Sequence, residues 1–352
     1  MLPPNEKQAL IPIRELIAEL LSVDLKLVEV RHIGENSPLD FKISAPPFEL
    51  IAEFKRNSAA GMVAKGIATL KECRSESKKE AEPLIIVPFM GDVGKKLCDA
   101  SSISWMDLCG NAKIKAPGLR IWIEGRPNKF IDRGRPPNIF SPKSSRISRQ
   151  LLADPFRFHP QSELSKLTKL DDGYVSKIVS RLKQEEYVET NEKGAIRPRN
   201  PGLLLDAWQS AYNFNHHRIT RGHSPARSGE ELLHRLADSL DFDEIRWGVT
   251  GLGAAWLYSG FAAFRLVTVF LESMPSQDFF KELEFTSEAK GSNLWVVLPD
   301  DDSVFDRVEK REGISCVSPA QTYLDLKDQP ERSKDAAVEL RKRYLTWDFH
   351  AE

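Results

Sequence analysis

The sequence predicts an α/β protein of several domains. At 352 residues the chain is longer than one hydrophobic core usually supports, so two or three domains are expected. Strand and helix patterns alternate over residues 1–130 and again after about residue 215, which is typical of mixed sheets covered by helices. Between them, a helical stretch follows a basic segment rich in proline and glycine. The expected divisions are an α/β domain over 1–128, a basic linker over 129–143, a helical module over 144–212 and a second α/β domain over 213–352.

The composition excludes several classes of protein. Hydrophobic residues make up 41% of the chain and charged residues 29%, as in globular proteins, and the net charge of −1 means that any nucleic-acid surface must be local. The four cysteines lack the paired spacing of a zinc site or a disulfide framework. The amino terminus lacks the pattern of a signal peptide. We therefore expect a cytoplasmic protein with reduced thiols.

One uncharged stretch, residues 247–264, has about the minimum length of a membrane span. Its glycines and serines make it only weakly hydrophobic. The segment "WGVTG" is typical of a buried strand that ends in a turn, and "AAWLYSGF" of a packed helix. No membrane partner is expected.

The first domain combines strands and helices in an order that favours a mixed sheet. Apolar residues at helical spacing predict a helix over Glu6–Leu21. The segments "DFKIS" and "ELIAEFKR" flank the turn signal "APPF" and predict a hairpin. A helix in "GMVAKGIATLKECRSES", a buried strand in "EPLIIVPFMG" and two or three short strands after residue 102 complete the domain.

The hairpin places acidic and basic residues on one face of the sheet. With a two-residue turn at Pro46 and Pro47, paired residues have numbers that sum to 93, so Asp40 lies opposite Glu53. Lys55 shares that face because side chains two positions apart in a strand point the same way. Two opposed carboxylates are suited to a divalent cation such as Mg²⁺, with the lysine steadying a developing charge. A plain ion pair between Glu53 and Lys55 is the alternative.

This arrangement resembles the PD-(D/E)xK restriction-endonuclease-like fold: Asp40, then Glu53-Phe54-Lys55 on the next strand, then a helix and an apolar strand. The segment "SPLDF" stands where that family has its Pro-Asp, with an additional leucine between Pro38 and Asp40. The resemblance implies a nuclease in which Asp40, Glu53 and Lys55 are catalytic, and in which Asp40 and Glu53 bind Mg²⁺. An inactive scaffold with the same fold is the alternative.

The helical module has the element order of a winged helix-turn-helix: a helix, a short helix, a turn, a longer helix and a hairpin with "NEKG" as its turn. In the longer helix, Val175, Ile178, Val179 and Leu182 form the core face. The opposite face would enter the major groove of DNA, and basic residues of the hairpin would contact phosphates. The candidate DNA-binding residues are Arg146, Gly173, Tyr174, Ser176, Lys177, Ser180, Arg181, Lys193, Arg197 and Arg199.

The carboxy-terminal domain is similar to the opening of a nucleotidyltransferase in "VTGLGAAWLYSGFAAFRLVTVFLE". The later strand lacks the paired aspartates that such enzymes use to bind metal, so the resemblance implies a degenerate member without that activity. The three acids Asp300, Asp301 and Asp302 are interpreted as a solvated turn that caps the next helix.

Several phrases together resemble the AbiEi-type antitoxin and transcriptional-regulator family of type IV toxin–antitoxin systems. They are "SWMDLCGNAKIKAPGLRIWIEGRPN", the winged helix, "VTGLGAAWLYSGF" and "VSPAQTYLDLKDQPERSKDAAVELR". The resemblance implies a repressor that binds double-stranded DNA and counters a nucleotidyltransferase-like toxin. Three hypotheses follow: a DNA-binding regulator, a Mg²⁺-dependent nuclease guided by the winged helix, and an interaction scaffold. A homodimer remains open.

Overall fold

The computed structural model of the protein describes residues 2–33, 39–76, 81–130, 138–241, 245–287 and 291–347. The described chain is a mixed α/β protein, as the sequence predicts. It forms two compact units. Unit 1 consists of Met1–Asn138 and Ser176–Glu189, and unit 2 of Ile139–Val175 and Thr190–Glu352. The chain therefore leaves unit 1, enters unit 2, returns to unit 1 for fourteen residues and then remains in unit 2.

Unit 1 contains a seven-stranded sheet in which the strands lie in sequence order. The three central strands run parallel, and the strands on either side pair antiparallel. The strands are β1 (Glu29–His32), β2 (Phe41–Ala45), β3 (Phe48–Phe54), β4 (Glu82–Val87), β5 (Ser104–Asp107), β6 (Ala112–Ala116) and β7 (Leu119–Ile123). The parallel centre brings the carboxyl ends of β3, β4 and β5 to one edge of the sheet.

Helices cover both faces of this sheet: α1 (Glu6–Leu21), α2 (Ala60–Glu76) and α3 (Asp92–Ser101). Asn5 and Gln8 form a capping box that starts α1 at the predicted residue. Phe54 and Ile86 pack in the core beneath α1, whereas Ile85 packs in the core beneath α2 and α3. Because successive side chains of a strand point to opposite faces of the sheet, Glu53 of β3 points towards the α2 face and Phe54 towards the α1 face.

The segment after residue 138 follows the predicted order of helices and strands. Its elements are α4 (Pro142–Ala153), α5 (Gln161–Thr168), α6 (Asp172–Gln184), β8 (Val188–Thr190) and β9 (Ile196–Pro198). Strands β8 and β9 form a two-stranded sheet. His159 forms an additional antiparallel bridge with Ile196, through backbone hydrogen bonds of 2.7 and 2.9 Å. Val175, Ile178, Val179 and Leu182 of α6 are all buried, as the apolar spacing predicts.

Unit 2 contains a second seven-stranded sheet, with parallel and antiparallel pairs, in the order β13-β10-β14-β12-β11-β16-β15. Its strands are β10 (Arg218–His223), β11 (Trp247–Thr250), β12 (Val267–Leu271), β13 (Thr286–Ser287), β14 (Leu294–Leu298), β15 (Glu309–Arg311) and β16 (Ile314–Cys316). Its further helices are α7 (Pro201–Ala211), α8 (Gly229–Asp241), α9 (Gly251–Ser259), α10 (Gln277–Glu282), α11 (Pro319–Asp325) and α12 (Ser333–Tyr344).

The uncharged stretch over 247–264 forms strand β11 and the nine-residue helix α9, as the sequence predicts. Across the described ranges, every helix falls short of the length and apolar character that crossing a membrane requires.

Candidate functional site

The hairpin of β2 and β3 has the register that the sequence predicts. Phe41 pairs with Ala52 and Ala45 with Phe48, so paired numbers sum to 93. Asp40 therefore stands at the end of β2 opposite Glu53, and its Oδ2 accepts a 2.8 Å hydrogen bond from the Phe54 backbone N–H. Lys55 Nζ donates to Glu53 Oε1. The structure thus brings Asp40, Glu53 and Lys55 together as one carboxylate–lysine cluster.

Burial dominates the electrostatics of this cluster. Only 3% of Glu53 is exposed, and its Oε2 has no hydrogen-bond partner among the described residues. Burial raises the pKa of Glu53, although the neighbouring Lys55 opposes that shift. Burial also raises the pKa of Asp40, against the hydrogen bond from Phe54 and the charge of Lys55. The carboxyl groups are therefore easier to protonate than exposed ones.

Helix α2 lies directly over the cluster at Gly66. A Cβ atom at this position would lie 2.8 Å from Ile85 Cδ1, 3.2 Å from Glu53 Cγ and 3.3 Å from Lys55 Cε. Glycine therefore permits the close approach of the helix. The same approach covers Glu53 and Lys55, whose side chains are 4% and 15% exposed. A DNA phosphodiester would reach these atoms only after α2 had moved.

Two carboxylates are the protein ligands that a Mg²⁺ ion commonly takes, with water and phosphate completing its shell. Asp40 and Glu53 supply such a pair, and their carboxyl groups are close enough to interact with each other. No group of three or more Asp, Glu, His and Cys side chains in the described ranges is placed to bind a metal. The residues therefore fit a metal bound by two carboxylates, and Asp40 and Glu53 would hold it.

The face of α6 opposite its buried residues is open to solvent along its amino-terminal half. Gly173, Ser176, Lys177 and Ser180 are exposed. Asp171 caps the helix by accepting a 2.8 Å hydrogen bond from the Tyr174 N–H. This face combines a cation and two hydroxyl groups that are free to contact a ligand.

Tyr174 and Arg181, predicted for the same face, are only half-exposed. Tyr174 shares a 2.8 Å hydrogen bond with the hydroxyl of Ser144, and Lys143 Nζ lies 4.7 Å from the centre of its ring. Arg181 donates from Nε to Glu185 Oε1, four residues along the helix. Both side chains thus have intramolecular partners.

Arg146 differs most from its predicted role as a DNA contact. Its Nε and Nη2 donate to Asp301 at 2.7–3.1 Å, and its Nη1 donates to the Thr168 carbonyl at 3.1 Å. All three guanidinium nitrogens are therefore engaged. Asp301 also accepts a hydrogen bond from Ser303 N–H, so it caps the turn over Asp302–Phe305 as the sequence predicts.

The basic residues of the β8–β9 hairpin have different environments. Lys193 is exposed at the turn, where the side chain of Asn191 accepts hydrogen bonds from Lys193 and Ala195 N–H groups. Arg197 lies 4.4 Å from the Phe158 ring, measured from its guanidinium carbon, and donates to the Phe156 carbonyl. Arg199 is exposed. Asp132, Arg133 and Arg135 of the predicted basic linker lie outside the described residues.

The later strand, on which the sequence resemblance would require paired aspartates, is β12. Its five residues, Val267–Leu271, carry no carboxylate and are all buried. Asp325, at the end of α11, is buried deep in unit 2, and no pattern in the sequence had predicted it as a site. It accepts hydrogen bonds from Thr250, Tyr212 and Gln321. Comparison of the chain with protein-family models, curated proteins and solved structures finds no match.

Proposed function

We propose that this protein is a DNA-binding transcriptional regulator that reads duplex DNA with a winged helix-turn-helix formed by α4–α6 and the β8–β9 hairpin. The observation that carries the proposal is the exposed amino-terminal face of α6, where Ser176, Lys177 and Ser180 point to solvent. Hydroxyl and ammonium groups at the start of such a helix contact base edges and phosphates. Arg146 takes no part in this contact because Asp301 engages it.

Positive charge on the neighbouring elements supports the same role. Exposed lysines without a salt-bridge partner in the described chain precede and follow α6: Lys143, Lys166, Lys169 and Lys193. Contacts between such cations and phosphates supply most of the sequence-independent affinity for DNA. Residues 143–199 contain twelve Lys and Arg and eight Asp and Glu, whereas the net charge of the whole chain is −1, so the positive excess belongs to this segment.

The resemblance to AbiEi-type regulators adds a biological role to the proposal. It suggests an antitoxin that represses transcription in the cytoplasm and counters a nucleotidyltransferase-like toxin. We also propose that unit 1 has an endonuclease-like fold. The parallel centre of its sheet and the carboxylate–lysine cluster on β3 support this proposal. We propose that the domain built on the unit 2 sheet is a degenerate nucleotidyltransferase. The connection from β11 through a glycine to α9 supports the resemblance, and the lack of carboxylates on β12 supports the loss of activity.

A titration of the full-length protein with labelled duplex DNA tests the DNA-binding proposal. We expect binding at low salt, and a logarithmic salt dependence whose slope falls in magnitude by about 0.9 in Lys177→Ala if Lys177 contacts one phosphate. The matched control is Lys115→Ala, which replaces an exposed lysine on β6 of the unit 1 sheet. It should leave the affinity and the slope unchanged. Absence of binding at low salt would contradict the proposal.

The second candidate is a Mg²⁺-dependent nuclease, which the convergence of Asp40, Glu53 and Lys55 favours. The ion would activate water and stabilise charge on a phosphate. The burial of Glu53 beneath α2 opposes this candidate, so we expect the protein to leave plasmid DNA intact in the presence of Mg²⁺. Cleavage that disappears in both Glu53→Gln and Lys55→Ala would establish the nuclease instead.

A further inference from the structure

Unit 1 contains a cavity of about 550 Å³ at the edge of its sheet where the parallel strands end. The loops after β3 and β4 supply much of the lining, and the carboxyl ends of parallel strands are where open α/β sheets bind ligands. Its volume is that of a small-molecule site. The lining residues are Leu2, Pro3, Arg56, Asn57, Ser58, Pro88, Phe89, Asn128, Phe130, Arg181 and Gln184.

The cavity is electropositive. Two guanidinium groups, Arg56 and Arg181, line it, and among the described residues of the lining none is a carboxylate. Arg56 is exposed and has no salt-bridge partner in the part of the chain that the structure describes. Arg181 donates only its Nε to Glu185, so its two terminal nitrogens stay available. Two cations facing an open space select an anion, and paired guanidinium donors match a phosphate.

The neutral polar groups of the cavity also present donors. The backbone N–H of Ala59 donates to Asn57 Oδ1 at 2.9 Å, and that of Phe130 donates to Asn128 Oδ1 at 2.8 Å. Because a backbone N–H can only donate, the amide oxygen is the acceptor in both cases, and the NH₂ group of each asparagine remains a donor. Ser58 Oγ accepts from Phe89 N–H at 3.2 Å, which frees its hydroxyl hydrogen.

Aromatic rings form the apolar part of the lining. Phe89 and Phe130 are both half-buried, and Phe130 packs against the core beneath α1. Aromatic side chains beside a cationic groove stack the bases of nucleic acids. An inorganic anion would need neither ring, whereas a nucleotide uses the cations for its phosphate and the rings for its base.

We propose that this cavity binds a nucleoside 5′-monophosphate group, either as a free nucleotide or as the 5′-phosphorylated end of a DNA strand. Arg56 and Arg181 hold the phosphate, and Phe89 and Phe130 contact the base. The site is distinct from the carboxylate–lysine cluster, because Asp40, Glu53 and Lys55 are not among the residues that line it. It lies within unit 1 and does not depend on duplex binding by the winged helix.

Calorimetric titration of the full-length protein with deoxyadenosine monophosphate, deoxyadenosine and inorganic phosphate tests the site. We expect the monophosphate to bind more tightly than either fragment. Arg56→Ala should weaken its binding about ten-fold to a hundred-fold, since a hydrogen bond to a charged group is lost. The matched control is Arg120→Ala, an exposed arginine of β7 outside the cavity, which should leave the affinity unchanged.

Failure of the monophosphate to bind would overturn the proposal, as would phosphate alone binding equally well or equal losses in Arg56→Ala and Arg120→Ala. A short single strand with and without a 5′-phosphate distinguishes the two sources: tighter binding of the phosphorylated strand assigns the site to strand ends, and binding of the free nucleotide alone assigns it to nucleotides. Closed circular duplex has no ends, so its binding reports on the winged helix separately.

Discussion

At the scale of single residues, Asp325 links stability to pH. It is fully buried and accepts three hydrogen bonds, from Thr250, Tyr212 and Gln321. Burial raises its pKa from 3.8 to about 7, and the three donors only partly offset this. The folded protein binds the Asp325 proton more tightly than the unfolded chain does. The contribution of this proton to the unfolding free energy is therefore complete below about pH 4 and is lost as pH rises through about 7.

We therefore expect Asp325→Asn to flatten the dependence of the unfolding free energy on pH between about pH 4 and about pH 7, where one proton changes stability by up to about 1.4 kcal/mol per pH unit. Denaturant unfolding at several pH values measures this slope. Glu192→Gln, in the exposed turn between β8 and β9, is the control and should keep the wild-type slope. An unchanged slope in Asp325→Asn would contradict the shifted pKa.

Residue-level prediction from the sequence succeeded where the partners are close along the chain. Asp40 and Glu53 are joined by a short hairpin turn, and this turn fixes the register that places them opposite each other. Arg146 shows the opposite case. Its partner Asp301 is 155 residues away, so a basic position on a helix could not be distinguished by sequence from a free DNA contact. Arg56 and Phe89 were missed because their common cavity depends on the pairing of β3 with β4.

At the scale of elements, the spacing of apolar residues was sufficient to predict most helices and those strands that contain a buried apolar run. The helix over Glu6–Leu21 and the order from α4 to β9 are as the sequence predicts. Strand β10 was missed because Arg218–His223 has a single large apolar residue, Ile219, and only Gly222 among them is buried. The bridge between His159 and Ile196 was missed for a different reason: a single residue pair has no period to detect.

At the scale of the whole molecule, the compact units are not contiguous in sequence. Composition marks a change near residue 125, but nothing in it indicates that Ser176–Glu189 returns to unit 1. Tertiary contacts explain the return. The Tyr187 hydroxyl accepts a hydrogen bond from Ala60 N–H at 3.2 Å, and Lys65 pairs with Glu186 at 2.6 Å. These contacts attach the first turns of α2 to the chain that follows α6, and they position Arg181 and Gln184 in the cavity.

Gly61 tests whether this returning segment stabilises the molecule. An added Cβ at Gly61 would lie only 2.1 Å from the Glu185 carbonyl oxygen, a backbone atom that cannot turn aside. Helix propensity alone would make Gly61→Ala stabilising, by about 0.5–1 kcal/mol. We expect the overlap to reverse that sign and to lower the unfolding free energy by about 1–3 kcal/mol, as overpacking does.

Denaturant unfolding of the full chain gives the measurement, and Gly91→Ala at the start of α3 is the matched control. A Cβ at Gly91 meets nothing within 4 Å, so its replacement should change stability by less than about 0.5 kcal/mol. If Gly61→Ala were as stable as the wild type, the end of α6 would be free to move from α2. Arg181 would then lose its fixed place in the cavity. In that case Gly61→Ala should bind a nucleotide more weakly than the wild type although its stability is unchanged.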